Sequence, residues 1–405
     1  MSYHKNQEKG VKMALSLIYP LGAFLYSWKD LKSRSTLWVF FLFFIVYGLC
    51  FTAELEVADS FRYVQDFKVF SANAAQNFKA ALQEFFSSES EIKDIFVYVL
   101  YYLTSVIAGD NYHVFFLLVA VVFGYFYLRS LRFITKEEAF ENNRFFVILV
   151  LAFTLSNPFF NINGVRFWTA AWIAVYATFE ILINRKLLYF LLLFSLPLVH
   201  ASFYAYIAFF LIAYLVRNYY KILPFLFFIS FFFSDITLLL IPDISPYLPS
   251  FLQNMIWSYT ESNDALARIS GEEAAQQALY ARVLLSIPRY YHIFLIFLLV
   301  RSRKFFEDSR SKEFLGFLLG VGALVNISSM IPSMMRFWNL LIPFYIYLWV
   351  RNYHIMRRYN SILYGYLFVA LYPTFLLLRN VFWTTDHILF YSNTAHILIH
   401  SLING

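Results

Sequence analysis

Apolar residues in this chain come in long runs rather than in alternation. Residues 13–28, 36–53, 112–130, 145–160, 166–183, 187–199, 201–216, 222–240, 283–300, 313–331, 336–350 and 361–378 are almost wholly apolar, and polar and basic residues gather between them. Runs of about 16–20 residues match a helix that crosses a hydrocarbon core about 30 Å thick at about 1.5 Å per residue. The ten-residue alternation of a membrane barrel does not occur. Read as one helix, 187–216 would reach about 45 Å, too long for a single crossing. Pro197 and the polar tip His200–Ser202 predict two short helices forming a hairpin there. The segment 94–108 is apolar but carries tyrosines and small polar residues, and is expected to be interfacial or re-entrant. Pro20 and flanking lysines leave 13–28 as either a crossing or a re-entrant segment. Within 61–85, Phe61, Val64, Phe67, Phe78, Ala81, Leu82 and Phe85 fall near helical spacing, with Asp66, Lys68, Lys79 and Glu84 between them. That pattern predicts an amphipathic helix on the membrane surface, roofing a lipid-entry groove or simply packing over the bundle.

Composition removes the soluble alternative. The 405 residues are 60% hydrophobic and 22% aromatic, with 50 Phe and 31 Tyr. A soluble core of this size cannot absorb that much apolar surface, so most of it must face lipid. The expected fold class is an all-α polytopic membrane protein, one integral membrane domain over 1–405, with about 11–12 transmembrane helices. Single Cys50 excludes an intrachain disulfide and a cysteine metal site. Lys5, Lys9 and Lys12 precede no small-residue cleavage site, so no removed signal peptide is expected.

Charge orients the map. Short loops carrying Lys29, Lys32 and Arg34, Arg129 to Arg144, Arg185 and Lys186, Arg217 and Lys221, Arg301 to Lys312, and Arg351 to Arg358 are expected on the cytoplasmic side. The opposite side receives two long loops, 54–111 and 241–282, where carboxylates outnumber basic residues, and the tail 379–405. On that outer side stand Asp59, Arg62 and Tyr63, then Arg166 at the mouth of a long apolar run, His200 at the hairpin tip, Arg282 and Arg289, and Arg336. A helix start already carries partial positive charge, so an arginine there is unfavourable unless an anion meets it. Arginine at a helix start makes an anion site, and a guanidinium fork suits phosphate oxygens. Each arginine taken alone is more often a snorkelling anchor, and several on the face where basic residues are scarce make anion binding an equal reading.

The motifs Pro20-Leu-Gly-Ala-Phe-Leu-Tyr, Asp59-Ser-Phe-Arg62-Tyr63, Asn163-Gly-Val-Arg166-Phe-Trp, Leu198-Val-His200-Ala-Ser202 and Met335-Arg336-Phe-Trp occur in this order along nearly the whole chain. In order and spacing the chain resembles the EpsG-type branch of the Wzy polysaccharide polymerases. The resemblance implies a multi-pass bacterial inner-membrane enzyme with a fold similar to the multi-span C-class glycosyltransferases. It implies that undecaprenyl-diphosphate-linked oligosaccharide repeats are joined on the outer, periplasm-facing leaflet. On that reading Arg166, Arg289, Arg336, Arg62 and Arg282 meet the diphosphate, and Tyr63, Asn163 and Ser202 are further substrate contacts. His200 is the expected base for the acceptor hydroxyl, with an unperturbed pKa of about 6.5, and Asp59 is the second candidate.

No cofactor, metal or nucleic acid is expected. His387, His396 and His400 read as surface residues. Expected partners are membrane lipid, the lipid-linked substrate, and a flippase and chain-length regulator of the same pathway. Two other functions fit the composition. A flippase would show paired halves and charges in the bundle core. A polyprenyl-phosphate-dependent transferase adding one sugar would use acidic residues of the first outer loop.

Overall fold

The computed structural model describes residues 2–53, 58–87, 94–140, 144–233, 245–247, 253, 279–329, 331 and 334–403. The side chains of 2–6, 245, 279–282 and 285 lie outside that description, as does almost all of the loop 241–282. Among the described residues no strand forms; Phe51 and Thr385 make a single antiparallel bridge. The chain divides into two units, residues 1–179, 188–201 and 374–405, and residues 180–187 and 202–373.

The first unit contains α1 (Ser2–Ile18), α2 (Pro20–Ser27), α3 (Arg34–Leu49), α4 (Asp59–Ser71), α5 (Ala74–Phe85), α6 (Phe96–Ala108), α7 (Tyr112–Thr135), α8 (Arg144–Ser156), most of α9 (Phe167–Leu182), α10 (Tyr189–Phe194) and α11 (Leu196–Val199). Helices α3 and α7 form its centre. A Cβ on Gly48 would stand 2.7 Å from the Phe116 carbonyl oxygen, so only glycine lets the two backbones come this close. Asn111 starts α7: its Oδ1 accepts from the His113 and Val114 N–H groups, at 3.0 and 3.2 Å. The second unit holds α12 (Phe203–Val216), α13 (Leu223–Ile229), α14 (Leu279–Ser302), α15 (Ser309–Ile327), α16 (Trp338–Arg351), α17 (Tyr353–Met356) and the first part of α18 (Asn360–Trp383). Asp308 caps α15 by accepting from the Arg310 N–H, and the same carboxylate pairs with Arg351 at 2.8 Å. The last helix, α19 (Thr394–Ile403), returns to the first unit.

By length and composition, three stretches among the described residues can cross a membrane: Tyr112–Thr135, Arg144–Gly164 and Tyr353–Trp383. Many other apolar runs become shorter helices. At about 1.5 Å per residue, the 16 residues of α3 reach about 24 Å, short of a full core. The run 13–28 breaks at Tyr19, because Pro20 opens a new helix of only 8 residues. The run 187–216 breaks as expected, with His200 extended at φ −156° and ψ 120°.

The segment 61–85 is two helices rather than one. Asn73 leaves helical geometry at φ −141° and ψ 55°, and the Phe70 carbonyl is taken instead by Asn77 Nδ2 at 2.9 Å. The apolar face of α4 is covered by protein: Phe67 lies 5.4 Å from the Tyr101 ring and 5.8 Å from Phe115, centroid to centroid.

Candidate functional site

Four segments of the first unit meet around Arg166. The chain enters through a 3-10 turn at Phe159–Gly164, and α9 begins at Phe167. Asn163 in that turn accepts the Ser60 N–H at 3.0 Å, which holds the start of α4 in place. Tyr63, one turn further along α4, is thereby presented to Arg166. Its hydroxyl accepts from Arg166 Nε at 3.0 Å, and its carbonyl accepts the Tyr101 hydroxyl at 2.8 Å. Asp94, just ahead of α6, accepts from Arg166 Nη1 at 3.0 Å.

The pair is unequal. The Asp94 side chain is 3% exposed and that of Arg166 is 32% exposed. Burial pushes the Asp94 carboxyl up to about 6, against the pull of the Arg166 guanidinium and of an N–H donated by Ala201. Burial also raises Tyr63 above the ordinary tyrosine range, opposed by Arg166. Among the described residues Arg166 Nη2 has no acceptor. Arg166 lines a cavity of about 560 Å³ together with Arg62, Tyr63, Asp66, Glu84, Asp94, Tyr98 and Tyr101. Three carboxyl groups therefore face two guanidiniums across tyrosine rings. The guanidiniums suit phosphate oxygens, and the carboxylates and phenols suit sugar hydroxyls.

The residues expected from sequence fall into different places. Arg166, Tyr63 and Arg62 line the cavity, and Asn163 braces it from behind. Asp59 pairs with Arg62 at 3.3 Å on the surface, where both side chains are more than half exposed; it does not line the cavity. His200 does not line it either, but stands on its flank. Its ring meets Phe167 edge-on at 5.5 Å, and the neighbouring Leu198 carbonyl accepts the Ile95 N–H at 3.0 Å.

Arg289, Arg336, Arg282 and Ser202 belong to the second unit. Arg289 does not stand at a helix start but inside α14, over the Trp338 ring at 5.5 Å and the Phe231 ring at 6.0 Å, and among the described residues its buried Nε has no hydrogen-bond partner. Arg336 is exposed in the 3-10 turn Met334–Phe337, two residues before Trp338. Ser202 is buried at the start of α12. The backbone of Arg282 lies in α14 and its side chain is outside the described residues. In the tail, His387 stacks on Phe382, and His400 meets Asp386 at 3.4 Å.

Sequence reasoning missed Asp94. The signal that singled out Arg166, a charge at the mouth of an apolar run, applies equally to Asp94 before 95–108. Asp66, Glu84, Tyr98 and Tyr101 were also missed, because only the packing of α4, α5 and α6 brings them together.

In comparisons with known proteins, the model of the EpsG family matches residues 35–393, nearly the whole chain. No curated protein and no solved structure matches.

Proposed function

The chain belongs to the EpsG family, and from that premise we propose that it is a polysaccharide polymerase joining undecaprenyl-diphosphate-linked oligosaccharide repeats at the outer face of the bacterial inner membrane. The observation that carries this reading is Arg166, held by Tyr63 and Asp94 with its third nitrogen open, in a cavity that also offers carboxylates and phenols. In glycosyl transfer the bond from the anomeric carbon to the diphosphate oxygen breaks, and the diphosphate leaves with the electron pair. A new bond forms from that carbon to an acceptor hydroxyl, whose proton passes to a base. Charge grows on the leaving diphosphate, so a preorganised guanidinium there stabilises the transition state more than the ground state. Asp94 is a carboxylate at the floor of the same cavity and is the first candidate base; His200 on the flank is the second.

A polymerase handles two lipid-linked diphosphates, one as donor and one as acceptor. Arg289, over the Trp338 ring, and Arg336, exposed two residues before Trp338, are further candidate phosphate contacts. A flippase and a chain-length regulator are the proposed pathway partners.

The test is the length distribution of lipid-linked glycan made by membranes carrying the wild type or Arg166→Lys. Lysine keeps the charge and loses the fork that serves Tyr63, Asp94 and phosphate together. A ladder that collapses to single repeats, with protein level unchanged, is expected. An unaltered ladder would remove Arg166 from the diphosphate site. Addition of one sugar by the wild type, with no ladder, would indicate a single-sugar transferase.

A further inference from the structure

A second cavity, of about 390 Å³ in the second unit, is lined by Tyr220, Lys221, Arg301, Arg303, Lys304 and Lys312. Among the described residues no carboxylate lines it and none of its five cations makes an ion pair. Of the three carboxylates close by in sequence, Glu307 is exposed and outside the cavity lining, and the other two are engaged elsewhere. Asp308 holds Arg351 at 2.8 Å, and Glu313 holds Arg185 at 2.5 Å and Arg217 at 3.6 Å. Tight packing brings the cations together. A Cβ on Gly316 would overlap the Arg217 carbonyl oxygen, so only glycine lets α15 lie against the turn that carries Lys221. Five like charges around one concavity repel one another unless an anion sits among them.

The rim says which kind of anion. Tyr219 and Ile222, either side of the Tyr220–Lys221 turn, are 60% and 57% exposed, and Phe305 beside Lys304 is 49% exposed. A soluble anion has no use for that apolar border; an acyl chain does. We propose that this cavity binds the headgroup of an anionic lipid carrying two phosphate groups, in the leaflet faced by the loops whose charge assigns them to the cytoplasm. This site shares no lining residue with the Arg166 cavity and does not depend on the polymerase reading.

The experiment uses the full chain in nanodiscs of phosphatidylcholine, titrated with diphosphatidylglycerol, phosphatidylglycerol or inorganic diphosphate. The wild type is expected to prefer diphosphatidylglycerol. Arg301→Gln with Lys304→Gln should weaken that binding about thirtyfold, at roughly fivefold per cation near a membrane surface. Arg310→Gln with Arg357→Gln removes two exposed cations outside the cavity and should leave binding within about twofold. Equal losses in both double variants would reduce the effect to general surface charge and overturn the proposal. Inorganic diphosphate binding as tightly as the lipid would identify a soluble anion and overturn it too. The wild type alone is decisive if the cavity variants fail to fold: no preference among the lipids overturns the site.

Discussion

Arg166 and Arg289 carry the same sequence signal, an arginine at the start of a long apolar run, and the two units treat them differently. Arg166 is hydrogen-bonded by a phenol and a buried carboxylate, which sets the plane and direction of its fork. Arg289 rests on the faces of Trp338 and Phe231, and its buried Nε is unsatisfied among the described residues. The first arrangement is preorganised for a ligand of defined geometry. The second holds a charge by its ring environment and leaves its donors uncommitted, a state that a buried donor occupies at a cost of about 1–3 kcal/mol. An arginine near the edge of an apolar run is thus a common signal with two physical outcomes: Arg166 directly precedes α9, whereas Arg289 lies about ten residues inside α14. The partner decides which, and for Arg166 that partner stands 72 residues away in sequence.

The sharpest way to break the comparison is to remove each arginine in turn. Arg166→Ala is expected to lower polymer formation on the order of 10²–10³-fold, the usual cost of losing one preorganised donor to a developing anion. The fold should tolerate the change, because Asp94 can take up a proton when its counter-ion is gone. With that carboxyl already near 6, each further tenfold loss of acidity costs about 1.4 kcal/mol. Arg289→Ala should cost less, about tenfold, because no fixed fork is lost. Product ladders and thermal unfolding in detergent check both, and equal losses at the two positions would erase the distinction.

The next prediction uses pH. The Asp94 carboxyl is raised by burial to about 6 from 3.8. Between those values the folded chain binds the extra proton, so the contribution of this group to stability is full below about 3.8 and is lost as pH rises through about 6. Activity should move the other way. If Asp94 takes the acceptor proton, turnover rises with pH and levels above about 6. Asp94→Asn should then lose about 10²–10⁴-fold in rate, the usual share of a general base. A histidine is the second candidate base, so the two must be separated. His200→Asn should keep both the acid limb and most of the rate. A limb that disappears in His200→Asn and survives in Asp94→Asn would return the role of base to His200.

Much of the helical map was legible because it rests on one-dimensional quantities. Run length and proline position give α9, α16 and the break at His200 to within about two residues, and the start but not the end of α7, which runs five residues past 130 to Thr135. The full crossing count was less legible, because apolar content does not say where a 3-10 turn or a Tyr19-Pro20 break will shorten a helix. In the site, Arg166, Tyr63 and Asn163 were legible as charged or polar residues at element starts. Asp94 carried the same mouth-of-a-run signal as Arg166 and was passed over; Asp66, Glu84 and Tyr101 were not legible, since each looks ordinary in sequence. They acquire meaning only when α4, α5 and α6 pack together, and the turn at Asn73 that splits α4 from α5 carries no strong local signal.

The smallest expected effect concerns Asp59, which the motif placed beside Arg62 and Tyr63 as a second candidate base. The structure puts its carboxylate at the start of α4, paired with Arg62 at 3.3 Å and more than half exposed. An exposed pair three residues apart contributes about 0.2–0.5 kcal/mol, and its position at a helix start adds a few tenths more. Asp59→Asn should therefore lower stability by about 0.5 kcal/mol and change polymer formation by less than about twofold. Arg62→Gln, by contrast, alters a residue that lines the cavity, and should raise the substrate concentration needed for half-maximal rate more than it lowers the rate itself. The paired measurement sharpens the boundary of the site to a single turn of α4. A hundredfold loss in Asp59→Asn would show that this surface carboxylate turns inward when substrate binds, and the site would then extend beyond the cavity to the start of the helix.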